Sequence, residues 1–250
     1  MIAEVVSVGT ELLIGDIVNT NAAVIAGRLA EAGFDAHYRV TVGDNLQRIA
    51  GVLRTAGERA DVVVVTGGIG PTPDDVTRQA LCELAGAELT RDEQHAALIH
   101  DRVLARRGVV LESVLAMADI PDGATALPNG NGLALGVELR MGDTVLFVLP
   151  GVPQEMSLML DDQVMPKLSA LSGGQTVRSA VVRTRGLGES QVADRLDDLF
   201  ASRNPTIAFR VTDTEVHVRV TAKGPSPEAA EALLAAMRDQ VDARLSDAVV

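Results

Sequence analysis

The chain has 250 residues, a net charge of −12, 47% apolar residues, one cysteine and almost no aromatics. That balance gives no basic footprint for nucleic acid or an anionic membrane. A lone Cys82 rules out an internal disulfide framework and fits a reducing, cytoplasmic setting. No signal-peptide pattern follows Met1, and no apolar run reaches the length of a membrane span.

In chain order, Ile2 to Val8 reads as a strand rich in β-branched residues. A loop, Gly9 to Asp16, follows it. A helix then starts at an N-cap Thr20 or Asn21 and stops near Gly33. Ala36 to Val42 is a second strand, and Asn45 leads into a helix with Leu46, Ile49 and Leu53 on one face. The unbroken run Val62 to Val65 is a third strand, of the kind covered on both faces. This βαβαβ order predicts a parallel sheet with right-handed crossovers.

The densest chemistry lies in Thr66-Gly67-Gly68-Ile69-Gly70-Pro71-Thr72, followed by Asp74 and Asp75. Glycines allow close backbone approach to a ligand, and a helix expected from Pro73 to Ala85 aims free N–H groups at the same space. Strand, glycine turn and helix start together read as a phosphate site. Two carboxylates beside a phosphate call for an intervening cation with oxygen ligands, of the Mg²⁺ type. The plainer reading is that both acids only stabilise a first helical turn. Neither the P-loop nor the dinucleotide fingerprint is present, since Gly-Lys-Ser/Thr is missing and position 73 is proline. Bulk at Gly68 is expected to disturb a ligand more than the fold, unless its φ is positive.

Further helices are expected from Asp92 to Arg107 and from Glu112 to Ala118. His95 and His100, five residues apart, miss a shared helix face and read as surface residues. Arg102, Arg106 and Arg107 form a basic cluster, either a solvated face or a reach toward phosphate. Cys82 reads as core. Short strands are expected at Thr125–Leu127, Leu133–Leu139 and Thr144–Leu149. The last ends in Pro150-Gly151-Val152-Pro153, with Pro153 opening a helix that buries Met156, Met159, Leu160 and Leu168. The loops at the carboxyl ends of these strands should gather around one ligand.

Past Ser172-Gly173-Gly174-Gln175 the pattern changes to β-α-β-β-α. A strand at 177–184 leads to a helix ending near Phe200. A hairpin, 206–212 and 216–222, is followed by a long helix with Leu233, Leu234, Met237 and Val241 buried. The division expected is 1–171, an α/β domain, and 176–250, a small α+β domain. The second resembles KH modules but lacks their glycine-flanked clamp, and reads as a packing or dimerisation unit. A homo-oligomer, a dimer, is therefore expected.

Five ordered motifs resemble the CinA (competence/damage-inducible protein A) family over essentially the whole chain. They are Gly9-Thr10-Glu11-Leu12-Leu13-x-Gly15 with Asn19-Thr20-Asn21; Thr41-Val42-Gly43-Asp44-Asn45; the Thr66–Thr77 stretch; Leu149-Pro150-Gly151-Val152-Pro153-x-Glu155-Met156; and Arg185 to Ser190 with Asn204 to Ala208. The resemblance implies a MoaB/Mog-like three-layer α/β domain of the molybdopterin-binding fold, with a mostly parallel sheet, followed by a KH-like domain. It also implies ADP-ribose pyrophosphatase activity that needs a divalent cation (Mg²⁺, Mn²⁺ or Co²⁺). The chain ends before the deamidase domain that many of these proteins carry, so that activity is not carried over. The family's Asn-Pro-x-Gly-Thr-Ala-Pro-Gly loop is here Asn129-Gly130-Asn131-Gly132-Leu133-Ala134-Leu135-Gly136, expected to be more flexible and lacking a hydroxyl.

On this reading Asp75, with Asp74, holds the metal, and Asp44 or Glu11 handles the attacking water. Thr66, Gly67, Gly68, Gly70, Thr72, Gly151 and Pro153 form the substrate cradle. Glu155 lies beside it and reads equally as a first-turn helix acid. The ligand is a small nucleotide diphosphate or a pterin phosphate, with no nucleic acid or membrane as partner. Two rivals stand beside hydrolysis: adenylyl transfer to molybdopterin, and a non-catalytic protein that keeps the pocket or only the assembly surface.

Overall fold

The computed structural model describes residues 1–250, which divide into two compact units. The first comprises 1–30 and 34–168; the second comprises 31–33 and 169–250.

The first unit is built on a six-stranded sheet in the order β2-β1-β3-β8-β7-β6. Its strands are β1 (Ile2–Val8), β2 (Asp35–Val42), β3 (Val62–Thr66), β6 (Thr125–Leu127), β7 (Gly136–Met141) and β8 (Thr144–Leu149). Strands β2, β1, β3 and β8 run parallel, whereas β7 is antiparallel to β8 and β6 to β7. All residues of β3 and β8 are buried, as their apolar runs require. Strand β2 lies at an edge, and its first five residues are exposed.

Successive strand residues face opposite layers. Val6, Val8, Val63, Val65, Leu146 and Val148 pack in one cluster with Ile49 and Leu53 of α3 (Leu46–Gly57), Leu81 of α4 (Thr77–Ala85) and Ile99 of α5 (Glu93–Arg107). The alternate residues Val5, Val64 and Phe147 are equally buried. So are Ile25 and Leu29 of α2 (Thr20–Glu31) and Met156 of α7 (Pro153–Met159). The helix opened by α7 continues through one π-type stretch, Leu160–Val164, into α8 (Met165–Leu171). Met156, Met159, Leu160 and Leu168 are buried, as the stripe predicts.

Several boundaries differ from the sequence expectation. The cap of α2 is Asn19, whose side chain accepts from the Ala22 N–H at 3.0 Å, rather than Thr20 or Asn21. A short helix, α1 (Thr10–Leu13), occupies part of the expected loop. The helix after the glycine turn begins at Thr77, not Pro73, because residues 73–76 are held in a side-chain-closed turn. A second short helix, α6 (Glu112–Leu115), precedes a 3₁₀ turn, Ala116–Ala118. A two-stranded ribbon, β4 (Leu89–Arg91) with β5 (Asp119–Pro121), was not anticipated; its strands are too short to carry a periodic signal. Strand β7 starts at Gly136, since Leu133 to Leu135 belong to the preceding loop. The Asn45 cap is as expected: its side chain accepts from the Arg48 N–H at 3.1 Å. Asn45→Ala should therefore lower stability by about 1 kcal/mol, read as a shift in the urea midpoint at unchanged m.

The second unit has a three-stranded antiparallel sheet, β10-β11-β9, formed by β9 (Thr176–Arg185), β10 (Thr206–Val211) and β11 (Glu215–Gly224). Alternate residues Val216, Val218 and Val220 face a core completed by Val192 of α9 (Glu189–Arg195) and by Leu234, Met237 and Val241 of α10 (Pro227–Arg244). The expected single helix to Phe200 is broken into α9 and a 3₁₀ stretch, Asp197–Ala201. Leu233 is 38% exposed, because the buried spacing of α10 is Ala230, Leu234, Met237, Val241. No helix of either unit is long and apolar enough to cross a membrane.

Candidate functional site

The loops after β1, β2, β3 and β8 all leave the carboxyl ends of parallel strands. The β6–β7 loop joins them, because β6 runs in the same direction as β8. Together they enclose a cavity of about 580 Å³. Its lining includes the carboxylate residues Glu11, Asp44, Asp74, Asp75 and Glu155, and the backbone of Gly67, Gly68, Gly70, Thr72 and Gly151. Met117, Asn131, Gly132, Leu133 and Ala134 form another part of the wall.

Thr66 and Pro153, assigned to the cradle from sequence, lie elsewhere. Both line a smaller neighbouring cavity of about 110 Å³, with Asn21. The buried Thr66 hydroxyl donates to the Pro150 carbonyl at 2.8 Å and accepts from Asn21 Nδ2 at 3.1 Å. Asn21 Nδ2 also donates to the Gly151 carbonyl at 2.8 Å. Thr66 thus fixes the Pro150-Gly151 loop from behind.

The glycine turn is locked by the helix that follows it. The Thr77 N–H donates to the Gly68 carbonyl, and the Thr77 hydroxyl donates to the Gly67 carbonyl, both at 3.0 Å. Gly67 and Gly68 have φ of +102° and +67°. A Cβ on Gly67 would overlap the Val8 carbonyl oxygen, and one on Gly68 would overlap the Thr77 hydroxyl. Glycine is required here by backbone conformation and by contact.

Asp75 lies outside α4, so the first-turn-acid reading of Asp74 and Asp75 does not hold: the first turn of α4 contains no acid. Instead Asp75 Oδ2 accepts from the Thr72 N–H at 2.9 Å and from the Thr72 hydroxyl at 2.5 Å. A hydrogen bond from Thr72, and one from its own N–H, hold the Asp74 carboxyl below the usual carboxylate range. Asp44 Oδ2 accepts from the Thr10 N–H at 2.7 Å, while the Thr10 hydroxyl accepts from the Asp44 N–H at 3.2 Å. This exchange ties the loops after β1 and β2, and Glu11 folds back over Gly9.

No three His, Cys, Asp or Glu side chains cluster as a ready-made metal cage. The donor chemistry nonetheless fits a hard cation of the Mg²⁺ type, which is commonly held by one or two carboxylates with ligand phosphates and waters completing its shell. Asp75 and Asp74 are the residues that would hold it.

Two residues not singled out from sequence shape the wall. Arg78, 4% exposed, donates through Nη2 to the Met117 and Leu135 carbonyls, at 3.2 and 3.3 Å. Burial pulls its pKa down to about 10, opposed by the nearby charges of Asp75 and Asp119. Asn129, also buried, accepts at Oδ1 from the N–H groups of Asn131 and Gly132, and donates from Nδ2 to Glu155 at 2.7 Å. The loop expected to be flexible is therefore pinned by one side chain. Glu155 proves to be both a first-turn acid of α7 and a cavity residue. His95, expected at the surface, is half-buried with its Nε2 2.8 Å from the Leu133 carbonyl. Cys82, expected in the core, is only half-buried, and its partial burial raises the thiol pKa.

Residues 4–170 match the family model described as "Probable molybdopterin binding domain", and residues 179–250 match that of the "Damage-inducible protein CinA KH domain". The chain is 42% identical over 251 residues to a CinA-like protein of Desulfovibrio desulfuricans and 40% identical over 249 residues to one of Dictyoglomus turgidum. These alignments take in 100% and 99% of this chain but 58% and 60% of those proteins, so the chain spans about three-fifths of their length. Among solved structures, the protein CinA of Thermoplasma acidophilum is 36% identical, with a TM-score of 0.61 over 66% of this chain and 96% of that one. With a MoaB/Mog-like α/β domain carrying the cavity and a KH domain following it, the chain belongs to the CinA family.

Proposed function

We propose that the cavity binds an organic diphosphate and hydrolyses its pyrophosphate bond in the presence of a divalent cation, as an ADP-ribose pyrophosphatase does. The observation that supports this reading is the meeting of a glycine turn with Glu11, Asp44, Asp74 and Asp75 in one cavity. Polar backbone at the carboxyl ends of parallel strands suits phosphate oxygens. So many carboxylates suit an anion only with a cation between them. A bound divalent cation would neutralise charge on the diphosphate. Asp44 or Glu11 would take the proton as water oxygen bonds to one phosphorus. The bond from that phosphorus to the bridging oxygen then breaks, and the second phosphate leaves with the electron pair. From ADP-ribose the products are AMP and ribose 5-phosphate.

The matched molybdopterin-binding model favours a pterin phosphate as ligand, and on this second reading its phosphate oxygen bonds to the α-phosphorus of ATP while pyrophosphate leaves with the electron pair. One experiment separates the two. The purified chain is incubated with ADP-ribose, or with ATP and molybdopterin, each with Mg²⁺, Mn²⁺ or Co²⁺ and with chelator. Cation-dependent AMP release from ADP-ribose, abolished by chelator, is the expected result. ATP-dependent formation of an adenylylated pterin without that release would replace hydrolysis by transfer. Neither product would leave the cavity a ligand-binding site without turnover.

A further inference from the structure

The cavity has one cationic residue in its lining, Arg106, against the five carboxylates. Arg106 lies in the last turn of α5, is exposed, and forms no hydrogen bond or ion pair with the protein. Its position is set by its helix. Arg102, one turn earlier, donates through Nη1 to the Gly132 carbonyl at 2.9 Å, and His95 Nε2 lies 2.8 Å from the Leu133 carbonyl. Helix α5 is therefore fastened at two points to the Gly132–Leu133 strip of the wall, and Arg106 extends from the fastened helix into the cavity lining. In a chain of net charge −12, this guanidinium keeps its hydrogen-bond donors available to a ligand.

We infer that Arg106 is the anion-binding residue of the site and sets its preference for ligands carrying a phosphate over uncharged nucleosides. The inference rests on the phosphate reading above and deepens it. It divides the site into a carboxylate end, which receives phosphate through a cation, and an arginine that receives a phosphate oxygen directly. Guanidinium–phosphate hydrogen bonds are short and charge-assisted, and their planar fork tolerates substitution by lysine only in part. The bland alternative is that Arg106 merely complements the carboxyl end of the α5 dipole. Arg107 occupies the same last turn and does not line the cavity, so it serves as the control.

The test is calorimetric titration of the methylene-bridged analogues of pyrophosphate and ADP-ribose, which the proposed hydrolysis cannot cleave, and of adenosine, each with Mg²⁺, into wild type, Arg106→Gln, Arg106→Lys and Arg107→Gln. Circular dichroism melts confirm that every variant is folded. Arg106→Gln is expected to weaken binding of both anionic analogues about ten- to hundredfold, the size of one charged hydrogen bond. Adenosine binding should not change, Arg106→Lys should recover part of the loss, and Arg107→Gln should bind as wild type does. Equal losses in Arg106→Gln and Arg107→Gln, or a matching loss for adenosine, would overturn the assignment in favour of a diffuse or structural role. Unchanged anion affinity in Arg106→Gln would overturn it outright. If wild type binds neither anion, the phosphate reading itself fails and takes the inference with it.

Discussion

Asp75→Asn should leave a folded protein that hydrolyses ADP-ribose at least about a hundredfold more slowly, a loss of roughly 2.7 kcal/mol of transition-state stabilisation. The amide oxygen can keep accepting from Thr72, so the turn before α4 survives. What disappears is the charge, and with it the ability to hold a cation against phosphate. The stability balance differs from that of an acid relieved of like-charge repulsion. The buried Arg78 draws on the charge of Asp75, so removing it costs stability. Weakening of the Thr72 bonds adds to this, for a total of about 1–2 kcal/mol. A lower melting temperature is thus expected on either view, and the discriminating quantity is turnover of the folded fraction. Raised Mn²⁺ should restore part of it. Wild-type turnover in a folded Asp75→Asn protein would move the chemistry to Glu11 and Asp44.

Gly68→Val is expected to unfold the first domain or weaken it by about 2–5 kcal/mol, combining left-handed strain in a β-branched residue with overlap on Thr77. The damage falls on the fold before it reaches any ligand. Thr77 buries its hydroxyl against the Gly67 carbonyl, so displacing it detaches α4 from the turn. Gly130→Ala is the internal comparison: φ there is not positive and an added Cβ meets nothing within 4 Å. Its urea midpoint should stay at the wild-type value. A Gly68→Val protein that melts with wild type would show that the turn relaxes freely.

How far the sequence announced these features depends on the range of the forces involved. Val62 to Val65 and Thr144 to Leu149 were legible because a strand buried on both faces needs little but apolar, β-branched side chains. The acids Glu11, Asp44, Asp74, Asp75 and Glu155 were legible as one group because topology brings strand ends together. The start of α4 was misplaced because Pro73 looks like a first helical residue. Thr72 and Asp75 instead close a turn, and Thr77 bonds back to two glycine carbonyls. Thr66 continues the strand alternation, so its side chain turns to Asn21 rather than to the main cavity. Arg78 and Asn129 act on the backbone of Met117, Leu135, Asn131 and Gly132, and no spacing rule encodes that. Glu4 is similar. It sits fully buried in an apolar strand, and Arg59, 55 residues away, satisfies it with two hydrogen bonds.

The reversed strand β7 separates evolvable chain from committed chain. Four of the loops around the cavity lead from strands into helices. The β6–β7 connection is a hairpin tip with no helix behind it, and the β7–β8 register is set from the opposite end, at the Met141–Thr144 pair. Within the β6–β7 connection Pro128, Gly130 and Asn131 are exposed and can be rewritten with the sheet left in place, whereas Asn129, Ala134 and Leu135 are buried and hold the wall. Chains built on this sheet can diverge in ligand through exchange at those exposed positions while sharing every carboxylate, and a library confined to those three positions would sample that divergence directly.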